Sequence, residues 1–338
     1  MAVDLSKEPI SFSLIEDENT GFISFSDMPE QLIPTLVEAY GAPAVAQVIQ
    51  PSEVEIDFIE SFDESERARP RYMELLENGE LERRVRGLDE QGFVPKTVPY
   101  FMAAINRSDE AMLGRTGGIY FVCPKGCLFC QYRDFDEATV TVEGIAERML
   151  ALQEAGADNI QWISPTTHTR ALAKALLIAA KEGLRIPIVH KSEGEDSLAD
   201  LGLLAGAVDV YVPDIKFINP EFAQYIGLGK NYPKRMKVCI REMYRQVGRL
   251  KRRPGTHLEA GGMMVRHLIM PGGVEEGRDI LTFLREIDRF IPVHFMCTYE
   301  PLHDATGHPE IGRSVTDEEI HEVALAGRKR LMRSVYVR

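Results

Sequence analysis

The rhythm of hydrophobic positions changes near residue 115. From there on, short apolar runs rich in β-branched residues alternate with longer stretches of helical periodicity. The runs predict strands at 117–122, 159–163, 186–190, 208–212, 263–269 and 293–298. The stretches between them predict helices over 142–155, 168–183, 196–205, 219–249, 275–289 and 316–332. Thr316 with Glu319 three residues on reads as a capping box opening the last helix. Six strand–helix units in succession predict the α/β class: a parallel sheet curled into a partial (β/α)6 TIM-like barrel.

Before residue 115 the pattern is weaker. Leu32, Leu36, Val37 and Tyr40 predict a helix within 29–49, interrupted by Pro34 and by Gly41-Ala-Pro43. Val54, Ile56 and Phe58 alternate with Glu53, Glu55 and Asp57, as in a half-exposed strand. Tyr72 to Leu88 predicts one amphipathic helix with Leu75, Leu76, Leu81 and Val85 inward. Residues 89–116 read as irregular. The expected organisation is an acidic, mostly helical N-terminal extension over 1–114, followed by the barrel over 115–338.

Charge follows that division. Residues 1–70 carry 15 acidic and 3 basic side chains; the other 268 carry 37 and 36. The negative charge is a solubilising surface or a docking face for a basic partner, and it argues against nonspecific nucleic-acid binding. No apolar run approaches the roughly 20 residues that span a bilayer, and the first residues lack the basic start and apolar core of a signal peptide. A cytoplasmic protein with no membrane partner is expected. Five cysteines, three of them clustered, do not make a disulfide scaffold.

The predicted strand ends are polar although the strand bodies are apolar. They carry Ser164-Pro165-Thr166-Thr167-His168, His190-Lys191-Ser192-Glu193-Gly194, Pro213-Asp214-Ile215-Lys216, Arg266-His267 and Thr298-Tyr299-Glu300. Strand C-termini are where such folds gather function, and this lining suits a zwitterionic, nucleoside-bearing ligand. Each residue also has a plainer reading. Asp214 and Lys216 could simply pair at the rim. Arg266 and His267 alternate faces, so only one would look into the cavity. His190 could be a core histidine, and His168 could merely begin its helix. Cys239 and Cys297 read as buried structural thiols. The basic stretch 234–253 is a solvated face or a contact for an acidic partner.

The first strand ends in Cys123-Pro-Lys-Gly-Cys127-Leu-Phe-Cys130. Three thiolates from one loop can hold three corners of a cubane iron–sulfur cluster and leave one iron open. A closed zinc or electron-transfer site takes four ligands, and a histidine could supply the fourth.

Cys-x3-Cys-x2-Cys with Phe129 before the last cysteine, behind a strand and ahead of alternating strands and helices, resembles the radical S-adenosylmethionine (SAM) superfamily. More narrowly, Cys127-Leu-Phe-Cys-Gln-Tyr-Arg-Asp134 is similar to the cluster loop of pyruvate formate-lyase activating enzymes. Segments 163–168, 186–190, 208–216, 242–248 and 265–272 resemble the activating-enzyme-like branch, and the likeness covers about 117–305 and touches 72–84. The superfamily's usual Gly-Gly-Glu stretch, which holds the methionine amino group, is replaced by Ser164-Pro165-Thr166. The extra cysteines common in that branch are missing before residue 123, so no second cluster is expected.

The resemblance implies a [4Fe–4S] cluster on Cys123, Cys127 and Cys130, with S-adenosylmethionine on the open iron. It implies reductive cleavage of that cofactor to a 5′-deoxyadenosyl radical, which abstracts hydrogen from a substrate. A glycine of a partner protein is the substrate by analogy, with a small molecule or another peptide as the alternative. Reduced flavodoxin or ferredoxin is the implied electron donor. By motif position, Phe129 would lie along the adenine, Ser164 and Thr166 near the amino group, and Ser192 at the ribose or carboxylate. Asp214, Lys216 and one of Arg266 and His267 would lie near the sulfonium and carboxylate.

Overall fold

Every residue of Asn159–Ile163 is buried, which requires cover on both faces of the strand and is the signature of a central parallel sheet. The structure is a computed structural model. It describes residues 69–106, 113–252 and 259–329, together with the short strands 15–17, 22–25, 45–47 and 335–337.

The strands in chain order are β1 (Ile15–Asp17), β2 (Phe22–Phe25), β3 (Val45–Gln47), β4 (Thr97–Asn106), β5 (Thr116–Phe121), β6 (Ala138–Thr141), β7 (Asn159–Ile163), β8 (Ile188–Lys191), β9 (Val210–Tyr211), β10 (Lys251–Arg252), β11 (Glu259–Met263), β12 (Val265–Leu268), β13 (Val293–Met296) and β14 (Val335–Val337). The helices are α1 (Tyr72–Glu77), α2 (Glu80–Glu90), α3 (Val142–Glu154), α4 (Thr169–Glu182), α5 (Leu198–Leu204), α6 (Pro220–Tyr225), α7 (Tyr232–Val247), α8 (Val274–Ile287) and α9 (Asp317–Lys329). None is long and apolar enough to cross a membrane.

The fold is mixed α/β around a parallel-rich sheet of order β10-β11-β9-β8-β7-β5-β4-β6. The steps from β5 through β7, β8 and β9 to β11 are all parallel. A second sheet, β12-β13-β14, is also parallel. The two meet where the β9 strand runs on past Tyr211. Arg266 N–H donates to Pro213 O, and Ile215 N–H donates to Arg266 O. The expected six strand–helix units are present in order. The array is open, since no pairing among the described residues joins its two ends.

Local signals account for the elements. Thr141 and Ser197 cap α3 and α5 through their hydroxyls. Asn219 caps α6, with Pro220 at its first turn. The capping box of α9 forms: Thr316 N–H donates to Glu319 Oε2 (2.9 Å), and Glu319 N–H donates to Thr316 Oγ1 (3.3 Å). Helix α4 buries Ala171, Leu172, Ala175, Leu176 and Ala179. Truncating one of its leucines should cost about 2–5 kcal/mol.

Several expectations are corrected. Residues 72–88 form two helices, because Gly79 turns left-handed (φ 72°) and Asn78 Oδ1 accepts the Glu80 N–H at the new start. Within 89–116, read as irregular, residues 97–106 form β4, which pairs antiparallel with both β5 and β6. Pro99 hid this strand, since proline argues against a central strand. The helices expected through 219–249 are α6 and α7, parted where Gly227 (φ 98°) and Gly229 (φ 84°) turn left-handed. Residues 45–47, inside the predicted 29–49 helix, are strand and pair with β2. The remainder of that helix and the 54–58 strand lie outside the described residues.

Candidate functional site

The cysteine loop begins where β5 leaves the sheet. Val122 N–H donates to Pro99 O of β4 (3.2 Å), and His168 Nε2–H, at the start of α4, donates to Val122 O (3.1 Å). His168 therefore does more than open its helix. Cys130 N–H closes a turn on Cys127 O (3.2 Å), and Leu128 N–H donates to Ile226 O (3.3 Å) beyond α6. At that crossing a Cβ on Gly227 would stand 2.6 Å from Gly126 O, so only glycine permits the approach. Lys125 adds a charged tether. It pairs with Glu195, whose carboxylate is 3% exposed and also accepts Arg235 Nε–H of α7 (2.6 Å).

All three loop cysteines are free thiols, with Cys127 buried and Cys123 and Cys130 half-buried. Burial pushes the Cys123 thiol up to about 12; the charges of Glu193 and Cys127 add to this, while the Lys125 N–H and Lys216 oppose it. Burial likewise raises Cys127, with Lys216 the main opposing charge and Cys130 and Glu193 raising it further. A metal charge arriving at the loop would reverse this preference for neutral thiols. No three His, Cys, Asp or Glu side chains among the described residues converge as ligands of one ion. A cubane asks for a different arrangement, because each thiol bonds a different iron. The donor set, three unbridged thiols of one loop within reach of each other's charge, fits such a group.

A second cluster lies at the end of β9. Asp214 Oδ2 sits 3.1 Å from Lys216 Nζ, and Asp214 Oδ1 sits 3.9 Å from Arg266 Nε of β12. Burial pushes the Asp214 carboxyl up, but Lys216, Arg266 and Lys191 together more than reverse this and hold it below the ordinary carboxylate value. Tyr232 of α7 fixes the segment by accepting the Lys216 N–H (2.8 Å). Alternation along β12 puts His267 on the other side from Arg266. There His267 Nδ1–H donates to Ile215 O (2.7 Å), its ring meets Phe295 edge-on, and burial lowers its pKa to about 4. Of the Arg266–His267 pair, Arg266 is the one that joins Asp214.

The other predicted residues divide. Phe129 is half-buried and packs edge-on against Tyr299, with centroids 5.7 Å apart. Ser164 adopts a left-handed φ of 56°, with its N–H on Lys191 O (3.0 Å). Thr166 Oγ1–H donates to Glu193 Oε2 (2.9 Å). The Ser192 hydroxyl is engaged locally, accepting the Gly194 N–H (3.2 Å). His190 donates to the buried Asp196 (2.9 Å), as a core histidine does, and Cys239 contacts the same carboxylate. Cys297 is buried. Three arginines of α7 have partners within the chain: Arg235 pairs with Glu195, Arg245 with Glu242, and Arg241 lies over Phe283 and near Glu286.

Sequence reasoning passed over Glu193, Glu195, Lys125 and Tyr232. Glu193 stood in a quoted strand end, but a glutamate one residue past a serine carries no periodic signal. Tyr232 and Glu195 act through contacts 16 and 70 residues away in the chain.

No family model matches the chain. The protein MJ0674 of Methanocaldococcus jannaschii, itself uncharacterised, is 26% identical over 252 residues, spanning 69% of this chain and 68% of that protein. Among solved structures, Streptococcus suis SuiB bound to S-adenosylmethionine is similar with a TM-score of 0.45 and 14% identity, covering 64% of this chain and 47% of SuiB. HydG, a maturase of the [FeFe]-hydrogenase, gives 0.47 at 14% identity, covering 66% of this chain and 52% of HydG. Methylornithine synthase (PylB) gives 0.46 at 15%, covering 83% and 74%. The chain spans about half the length of SuiB and HydG.

Proposed function

We propose that this chain is a radical S-adenosylmethionine iron–sulfur enzyme. The observation that carries the reading is the cysteine loop: three unbridged thiols at the C-terminal end of a parallel strand, with the Lys216 ammonium acting on two of them. Cys123, Cys127 and Cys130 would hold three irons of a [4Fe–4S] cluster. The chemistry that this cluster and S-adenosylmethionine supply is one-electron cleavage of the sulfonium to a 5′-deoxyadenosyl radical able to take hydrogen from a substrate.

The chain's own part is placement and charge. Lys216 offsets thiolate charge at Cys127 and Cys123, and Asp214 holds its ammonium in place. Arg266 offers a buried guanidinium for a carboxylate. Phe129, braced by Tyr299, offers an apolar ring for an adenine. The open strand array is read here as a partial barrel whose C-terminal rim forms the site.

The finer assignment rests on the motif resemblance. It is an activating-enzyme-like oxidoreductase in the cytoplasm that takes electrons from reduced flavodoxin or ferredoxin and acts on a glycine of a partner protein. Anaerobic reconstitution with iron and sulfide, followed by dithionite and S-adenosylmethionine, should give brown absorbance and 5′-deoxyadenosine; Cys127→Ala should abolish both. Full iron loading without 5′-deoxyadenosine would sink the proposal. A glycyl-radical EPR signal on a candidate partner tests the substrate class.

A further inference from the structure

Strand β4 is covered on its outer side for only part of its length. β5 pairs with one side from Tyr100 to Asn106, whereas β6 pairs with the other only from Thr97 to Tyr100. Among the described residues no strand lies against that outer side beyond Tyr100. No residue from Phe101 to Ile105 is buried, while every residue of β7 is. An open edge is a template for another extended chain, and proteins ordinarily guard it with a charge or a proline. Phe101-Met-Ala-Ala-Ile105 carries neither.

The end of this edge nearest the thiols is aromatic. Tyr100 opposes Phe121 and Met102 opposes Tyr120, so Phe101 is the extra residue of a bulge. Its ring lies nearly parallel to that of Tyr132 (centroids 6.1 Å apart, 18° between planes) and meets Phe135 edge-on (5.8 Å). Met102 and Phe135 stay 43% and 45% exposed. Tyr132 ties the patch to the site: it stands two residues past Cys130, and the charges of Arg266, Asp214 and Lys216 act on its phenol.

The rim of the patch is acidic. Asp134, Asp136 and Glu137 flank Phe135 in the chain and are exposed. Arg133 is held by Asp304 at 2.7 Å, and Asp134 has the imidazole of His303 at 3.6 Å. Among the described residues neither Asp136 nor Glu137 forms an ion pair. An open backbone edge, an exposed apolar anchor point and unanswered carboxylates ask for one occupant: an extended polypeptide with an apolar side chain between basic residues. A second copy of this chain fits poorly, because a two-fold pairing sets the patch against itself and like charge against like.

We propose that the Phe101–Ile105 edge and the Phe135 patch are the docking surface for an extended, basic segment of a partner polypeptide, with an apolar side chain seated on Met102 and Phe135. This rests on the reading above that the site acts on a partner protein. Strand addition at β4 would carry the residue beyond the docked segment to the rim that bears the thiols.

The test uses short fluorescein-labelled synthetic peptides on the full chain, read by fluorescence anisotropy. The first alternates lysine and valine around a central phenylalanine. Three others exchange lysine for glutamate, exchange phenylalanine for alanine, or methylate alternate backbone nitrogens. Wild type should bind the first about tenfold or more tightly than each of the others. Phe135→Ser should weaken the first about fivefold or more and remove the preference for phenylalanine. Asp136→Lys with Glu137→Lys should remove the preference for lysine over glutamate. Wild type that binds the glutamate or methylated peptide as well as the first overturns the assignment, and so does Phe135→Ser with unaltered preferences. A dimer in sedimentation that Phe135→Ser dissociates also overturns it, since the patch would then belong to a second copy. Formation of 5′-deoxyadenosine by the reconstituted protein without peptide separates the two readings. If it forms and the peptides are not discriminated, only the docking assignment fails; if they are discriminated and none forms, docking stands and the radical reading fails.

Discussion

Asp214→Asn should destabilise the metal-free protein through two stranded cations. At an effective dielectric constant of about 20, opposite charges at the observed 3.1 and 3.9 Å attract by roughly 5 and 4 kcal/mol before desolvation. Losing one member of a buried pair typically costs about 3–5 kcal/mol. The Asp214 and Lys216 side chains are each 20% exposed, so water recovers part of that. We expect a loss of about 3 kcal/mol for Asp214→Asn and for Lys216→Met alike, and about 4 kcal/mol for the double variant, a coupling of about 2 kcal/mol. The assay is equilibrium urea unfolding under reducing conditions, with equal m values across the series as the check on two-state behaviour. The pH dependence has a definite sign. The folded carboxyl lies below its ordinary value of 3.8, so its contribution is complete above that pH and is lost as pH falls below it. The coupling should therefore be the same at pH 5 and pH 7. Additive losses, or single losses under about 1 kcal/mol, would identify a solvent-screened rim pair and refute the argument.

Three further outcomes are expected. Gly227→Ala drives a Cβ to 2.6 Å from Gly126 O in a left-handed backbone position, so it should cost about 1–3 kcal/mol and lower iron uptake by the cysteine loop on reconstitution; normal stability and loading would show that the crossing can relax. Asp209 accepts N–H bonds from Arg71 (2.9 Å) and Ile188 (2.8 Å), yet burial raises its pKa to about 7. Its folded carboxyl binds a proton more readily than its unfolded one, so stability should fall as pH rises from about 4 towards 7. Asp209→Asn should remove that slope while costing about 1–3 kcal/mol, because an amide N–H would then face a backbone donor; a slope that survives the substitution refutes the assignment. His267 is held neutral by burial, with a pKa near 4. Its contribution is complete above about 6.5 and is lost as pH falls towards 4, and an NMR titration showing the ring charging near 6.5 would contradict this.

Much of the frame was legible because it rests on local pattern. Short β-rich runs such as Asn159–Ile163, buried along their whole length, make central strands, and Thr141, Ser197, Asn219 and Thr316 open their helices by their own side chains. The pattern failed where a residue sends two messages. Pro99 argued against a strand, yet its carbonyl accepts the Val122 N–H and the strand around it anchors the start of the cysteine loop. Gly79 interrupted a periodicity that otherwise ran on from 72 to 88, because a left-handed turn leaves no mark in hydrophobic spacing.

By itself the sequence determined the α/β alternation, the three thiols on one loop, and the polar strand ends, since each is a matter of residue type and near-neighbour spacing. Only the tertiary structure decided which polar groups meet. It brought Lys216 beside Cys127, set Arg266 rather than His267 on Asp214, placed the Ser192 hydroxyl on the Gly194 N–H, and aimed the Thr166 hydroxyl at Glu193. Those outcomes depend on register between strands far apart in the chain and on where burial removes water, and neither is written in local spacing.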